Sequence, residues 1–304
     1  MFKRSLLALL TIALFAVQSV TAQELPAPSP SASVTQKVGV TSITIDYSSP
    51  AVKGRKVFGE LEPFGKAWRA GANAPTAITF SSDVQIGGSD VKAGTYNIFM
   101  TPQESADWDV HFNGKGKSIF AYNTKDGQDM AAIKADNAAS VSVKATEGPF
   151  RERLTYIIEA VSDTEGKVTL WWDKTMVSFT VTVPTAELTK ANIEASLKDA
   201  GKVWRTYQNS AKYYAESDPA KAMELIDMSI ATRPNYFWNQ WTKAQFLAKE
   251  GKYDEALDFA LAARTAGDAK PDGAYNFFKG MITKDIEAWL PNASKKWKKA
   301  NKDI

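Results

Sequence analysis

"KVTLWWDKTMVSFTVTVPTAELTKANIEASL", residues 167–197, contains the point at which the chain changes its period. Up to Val183 apolar residues alternate with polar ones or run in short blocks, the habit of half-buried strands. After Pro184, Ala, Leu, Lys and Glu predominate and apolar residues return every three or four positions, the habit of a helix. Proline offers no N–H to a sheet ladder, so Pro184 closes the strand region. The chain therefore reads as a β region followed by an α region.

Working back from Val183 to about Ser33, eight short runs recur between turn residues: "SITIDY", "TAITF", "TYNIFM", "WDVHF", "ASVSVKA", "LTYIIEAV", "KVTLWW" and "VSFTVTV". "IGGSDVKAG" and "SDTEGK" supply the Gly, Asp and Ser of tight reversals. Short strands with no long helix between them predict an antiparallel β-sandwich over 33–184. Working forward, "AKEGKYDEALDFALAA" (248–263) resembles the turn and second helix of a tetratricopeptide repeat. "ESDPAKAMELIDMSIATRP" (216–234) matches it, with Ala222 and Ala256 34 positions apart. A tetratricopeptide-like all-α segment is expected over 185–291, its end covered by a helix from about Gly273 to Leu290. The lysine-rich 292–304 is expected to be a basic solvated tail.

The N-terminus reads as an export signal. Lys3 and Arg4 precede the apolar run Leu6 to Ala16, and Val20-Thr21-Ala22 presents small residues for cleavage, so 1–22 is a signal peptide. The Pro-, Ser- and Ala-rich 23–32 is a flexible leader. No later stretch is long and apolar enough to span a membrane. Without Lys3 and Arg4 the chain has 35 basic against 34 acidic side chains, a net +1, which gives no general attraction to nucleic acid. Cysteine is absent, which excludes disulfides, thiolate zinc sites and thiol catalysis.

"SSPAVKGRKVFGELEPFGKAWRAGANAPTAITFSSDVQIGGSDVKAGTYNIFMTP", followed by "WDVHFN", "LTYIIEA" and "KVTLWWDKTMVSFTVTV", resembles an exported bacterial family known as domain of unknown function 2911, over roughly 30–183. The resemblance implies a β-sandwich exported by Gram-negative bacteria, periplasmic or secreted, with no activity or cofactor to transfer. The chain departs from the family pattern at Ala74-Pro75 and around "KSIFAYN".

Two readings attach to "AWRAGANAPTAITF" (67–80). In one, Gly71 bends the backbone, Asn73 satisfies turn amides and Arg69 bonds carbonyls at the end of the sheet. In the other, Arg55, Arg69, Asn73 and Thr76 converge to hold a carboxylate or a sugar, with Trp68 as a stacking face. Asp107, Asp109 and His111 share a strand face, but side chains about 6.5–7 Å apart along one strand converge poorly on one ion; they read as a solvated face rather than a metal site. The acids Glu60, Glu62, Asp83, Asp126 and Asp129 read as solubilising rather than as a glycosidase pair. In the helical segment Trp204, Tyr207, Ala211 and Tyr214 recur at helical spacing, and Trp238, Trp241, Gln245 and Ala248 repeat them. The favoured register puts Tyr207 and Trp241 in the core and leaves Trp204 and Trp238 at a groove edge for a partner; an ungapped register turns all four toward the groove. The opposite face, Arg205, Gln208, Asn209 and Lys212, is polar. No catalytic constellation, metal site or cofactor is recognisable. The sequence thus points to an exported binding or scaffold protein with a protein partner or envelope glycan, the alternative being a hydrolase or lyase on envelope polysaccharide or peptide.

Overall fold

The structure is a computed structural model that describes residues 25–199 and 204–302. The expected signal peptide and the first residues of the leader lie outside the described residues. The chain divides into two compact units, one ending at Pro184 and the other beginning at Thr185. Among the described residues no helix is long and apolar enough to cross a membrane.

The first unit packs two antiparallel sheets. One has the order β1 (Ser31–Val38), β2 (Thr41–Ser48), β3 (Thr76–Phe80), β6 (Gly94–Thr101), β7 (Trp108–Asn113), β10 (Asn137–Val143), numbered along the chain. The other has β11 (Ala145–Ala160), β12 (Glu165–Thr182), β4 (Val84–Ile86), β5 (Ser89–Val91); a separate hairpin joins β8 (Asn123–Thr124) to β9 (Gly127–Gln128). Alternation sets the register, since a slip of one residue would turn each apolar side chain to the wrong face. Ile43 pairs with Phe80 and Ile45 with Ile78, all buried. Leu170, Trp172, Phe179 and Val181 of β12 meet them in one core.

Several strands depart from the sequence reading. β1 starts inside the expected leader; its Ser, Thr, Gln and Lys suit an edge strand half open to water and carry little apolar signal. "IGGSD" is a turn, as expected, but a two-residue one: Gly87 and Gly88 have φ of 56° and 80° and close a β4–β5 hairpin. "KVTLWW" and "VSFTVTV" belong to a single strand, because Asp173 takes up the irregularity at φ 53° and still pairs with Arg151.

The largest departure is on the outer face of β6 and β7. A cover formed by a short 3-10 turn (Ile119–Tyr122), the β8–β9 hairpin and α1 (Met130–Ala135) buries Phe99, Ile119, Tyr122 and Ile133 in a second, smaller core. His111, expected in solvent, is fully buried there. Its Nδ1 lies 3.0 Å from the Asn137 amide nitrogen and accepts from it, so Nε2–H donates to Thr101 Oγ1 at 3.0 Å. Burial lowers the pKa of this imidazole, and Asp109 accepts from Ser142 Oγ. Both imidazole nitrogens and this carboxylate oxygen are thus engaged in the sheet.

In the second unit α2 (Thr185–Asp199) precedes two helical hairpins, α3 (Trp204–Tyr214) with α4 (Pro219–Thr232) and α5 (Phe237–Lys249) with α6 (Tyr253–Ala269), then α7 (Gly273–Trp289) and α8 (Lys295–Ala300). Asp218, Asp272 and Ser294 cap α4, α7 and α8 by accepting from backbone N–H groups. Gly251, at φ 76°, ends α5. Residues 34 apart occupy equivalent places: Tyr207 and Trp241, Ala222 and Ala256, and Ser229 and Ala263 are all buried. Gln208 donates to Thr242 Oγ1 at 3.0 Å across the same interval. Gln208 is therefore buried rather than part of a polar outer face; its amide bridges the two hairpins. The lysine-rich end is not a free tail, since Trp297 is buried and donates from Nε1 to Asp258 at 2.7 Å.

Two substitutions test this packing. Trp172 is fully buried and its Nε1 has no acceptor among the described residues. Trp172→Ala is expected to cost about 3–5 kcal/mol and Trp172→Phe less than about 1.5 kcal/mol in chemical denaturation; equal losses would place the ring outside the core. In α6 a methyl group at Gly267 would meet the Tyr275 ring at 2.0 Å. Gly267→Ala should therefore destabilise by about 1–3 kcal/mol, although helix propensity alone favours alanine by about 1 kcal/mol. A higher melting temperature in that variant would contradict the α6–α7 contact.

Candidate functional site

Residues 49–75 connect β2 to β3 without a regular strand, yet the connection is held firmly. Trp68 exchanges backbone hydrogen bonds with Met100 of β6 at 2.7 and 2.9 Å. Its indole stacks on Trp172, centroids 5.8 Å apart, with Phe58 edge-on to both rings at 6.0 Å. Beyond Trp68, Ala70 at φ 51° and Asn73 at φ 58° turn the chain into β3. The buried Ala70 carbonyl accepts from Thr76 Oγ1 at 2.8 Å and from the Tyr156 hydroxyl at 2.9 Å. Gly71 has room only for hydrogen, because a methyl group there would meet Thr76 Oγ1 at 2.6 Å.

These contacts place the five residues that the sequence grouped. Trp68 is 4% exposed and its Nε1 donates to the Gly71 carbonyl at 3.0 Å, so it is core rather than an open stacking face. Thr76 is fully buried. Asn73 donates to the Ser29 carbonyl and Ser48 Oγ, both at 3.2 Å. Arg55 donates to the carbonyls of Val52 at 2.9 Å and Ala51 at 2.5 Å. Arg69 alone of the polar four lines a cleft, so the group does not converge as one ligand-holding set.

That cleft, about 390 Å³, lies between residues 62–69 and the outer cover at 119–128. One wall is fixed by Gln128, whose amide makes paired hydrogen bonds with the Ala67 backbone at 2.7 and 2.9 Å, as a strand neighbour would. The other wall is the 3-10 turn: Ile119 and Tyr122 are buried, which leaves Phe120 between them 61% exposed. The Arg69 guanidinium carbon lies 5.4 Å from the Phe120 ring centroid, and Arg69 Nε is buried without an acceptor among the described residues. Among the described residues Glu62 is the one carboxylate lining the cleft. Burial pushes its carboxyl up to about 7, against the opposing pull of Arg69 and Arg55. Among the other acids weighed from sequence, Asp83 is engaged by Lys92 and the Ala93 amide, Asp129 caps α1 and Glu60 pairs with Lys56. Phe120 and Gln128 gave no sequence signal, since both act through a cover that the strand pattern did not announce.

The second unit presents a different surface. Trp204 and Trp238 are half-buried, whereas Tyr207 and Trp241 are in the core, Trp241 donating from Nε1 to Asp285 at 2.8 Å. Trp204 packs edge-on against Tyr236 at 4.7 Å, and the Arg233 guanidinium carbon lies 5.0 Å from the first ring and 3.6 Å from the second. Arg205 lies 5.3 Å from the Trp204 ring, and Lys212 Nζ 5.1 Å from that of Trp238. None of these three cations is in an ion pair among the described residues.

The raised Glu62 carboxyl has a consequence for stability. A carboxyl that holds its proton more tightly folded than unfolded destabilises the fold on ionising. The penalty is absent below the ordinary value near 4.5, grows as pH rises and is complete above about 7. Glu62→Gln is expected to raise the melting temperature at pH 8 and to leave it unchanged at pH 4. The same gain at both pH values would show a cause other than ionisation.

No curated protein matches the chain. A family model described as "Protein of unknown function (DUF2911)" matches residues 29–181, which span the sandwich from β1 nearly to the end of β12 and make up half of the chain; the protein belongs to that family.

Proposed function

We propose that this is an exported binding protein of the Gram-negative cell envelope, periplasmic or secreted, whose tetratricopeptide-like helical unit docks an acidic segment of a protein partner. The observation that carries this reading is the half-buried aromatic surface of Trp204, Tyr236 and Trp238, on which Arg205, Arg233 and Lys212 lie without carboxylate partners among the described residues. Aromatic rings and arginine are enriched at protein interfaces: the rings bury large areas with few rotatable bonds, and arginine brings a planar fork of donors to the partner. Cations left over from intramolecular pairing favour an anionic partner. The 34-residue equivalence of buried positions supports the repeat reading, and the basic, apolar and small-residue succession of residues 1–22 supports export.

The test separates docking from folding. Against a partner crosslinked to the mature protein in envelope preparations and then purified, Trp238→Ala should weaken binding by about 2 kcal/mol or more, with a smaller loss of melting temperature than Trp241→Ala because its ring is only half-buried against the core. Trp241→Ala should lower stability by about 3–5 kcal/mol. Binding unaffected by Trp238→Ala and by reversal of Arg205 and Arg233 to glutamate would sink the proposal, and capture of glycan alone would replace its partner.

A further inference from the structure

The cleft in the sandwich carries an inference independent of the helical unit. We propose that it binds a small solute bearing a carboxylate, and that capture of this anion is coupled to uptake of one proton by Glu62. Three observations lead there. The first is charge: Lys66 and Arg69 line the cleft with Glu62, Arg55 acts on Glu62 from outside that lining, and none of the four is in an ion pair among the described residues. The cleft is net positive whether or not Glu62 is ionised. The second is an orphaned donor. Arg69 has a buried Nε–H with no acceptor among the described residues and rests on the Phe120 ring instead. A buried donor without an acceptor is costly, and a carboxylate approaching the edge of a guanidinium takes Nε–H and one terminal N–H together. Phe120, largely exposed, is the part of the wall free to turn aside.

The third is the state of Glu62. Ionised, it competes with the ligand for the arginines and repels it; protonated, it offers an O–H donor to the same oxygen atoms. Its titration near neutrality puts the exchange between those states in an accessible range. The charged groups facing it are Arg55 from the 51–57 turn and Lys66 and Arg69 from its own segment. The 119–128 wall contributes only uncharged lining side chains, among them Phe120, Asn123, Thr124 and Gln128. A neutral ligand would use neither the surplus positive charge nor the proton.

The experiment uses the mature full-length protein with acetate, lactate and glucuronate as probes and glucose as the neutral control. It is read by NMR at the arginine Nε–H resonances and by calorimetry at pH 6 and pH 8. At least one carboxylate should shift the Arg69 Nε–H saturably. If binding requires protonated Glu62 with a midpoint of about 7, affinity should fall about tenfold from pH 6 to pH 8. Calorimetry in buffers of different ionisation enthalpy should show uptake of nearly one proton at pH 8 and very little at pH 6. Glu62→Gln should bind at pH 8 as tightly as the wild type at pH 6. Arg69→Lys, which keeps the charge but loses the fork, should bind at least about tenfold more weakly at an unchanged melting temperature. If none of the three carboxylates shifts Arg69, if glucose binds as well as they do, or if wild-type affinity is the same at both pH values, the proposal is overturned.

Discussion

The stack of Trp68 on Trp172 joins the long connection before β3 to the opposite sheet, and the geometry of the cleft depends on it. Phe58 and Trp108 complete the cluster, Phe58 lying 4.7 Å edge-on from Trp108. Aromatic pairs of this kind contribute about 0.5–1.5 kcal/mol each beyond the area they bury. A connection of this length without regular strands is unusual in a compact domain and tends to carry function. Here it is pinned to strands at two backbone bridges, Ala51 to Arg153 and Trp68 to Met100, and closed on itself at a third, Phe58 to Glu62. Arg69 follows the anchored tryptophan directly and Glu62 sits at a bridge, so two charged side chains on a loop acquire fixed places.

The second constraint is the cover over β6 and β7. A sheet with both faces dry must satisfy every polar side chain it buries. His111 does so through Thr101 and Asn137, and Asn113 through the Tyr122 hydroxyl, which in turn donates to Asp136. Asn137 Oδ1 is the exception, a buried acceptor to which no group among the described residues donates. This polar network orients the cover, and the cover supplies the wall that bears Phe120 and Gln128. One set of buried hydrogen bonds thus determines where the cleft closes.

The sequence made the sandwich legible because Ile43, Ile45, Ile78 and Phe80 alternate with polar residues facing water, and it made the helices legible because alanines recur where hairpins pack. It failed where a local pattern is overridden by tertiary contact. His111 alternates with Asp109 as a solvated residue would, but it is buried and its ring is engaged by Thr101 and by Asn137 from a strand distant in sequence. Gln208 looks like an outer-face residue until Thr242, one repeat away, supplies its partner. Trp297 among five lysines resembles a tail, but its indole reaches Asp258. Arg69 was legible as an unusual residue near a strand. Its neighbours in the cleft were not, since Glu62 and Phe120 are brought to it by the folding of two loops with no shared spacing.

The claim on which this account rests is that the anchored loop and the cover together withdraw Glu62 from water between two arginines. The most direct measurement is a pH titration of the Glu62 side-chain carboxyl carbon by NMR in the full-length protein. A midpoint of about 7 is predicted. A midpoint at the ordinary value near 4.5 would mean that the carboxyl is solvated and the cleft is not built as described.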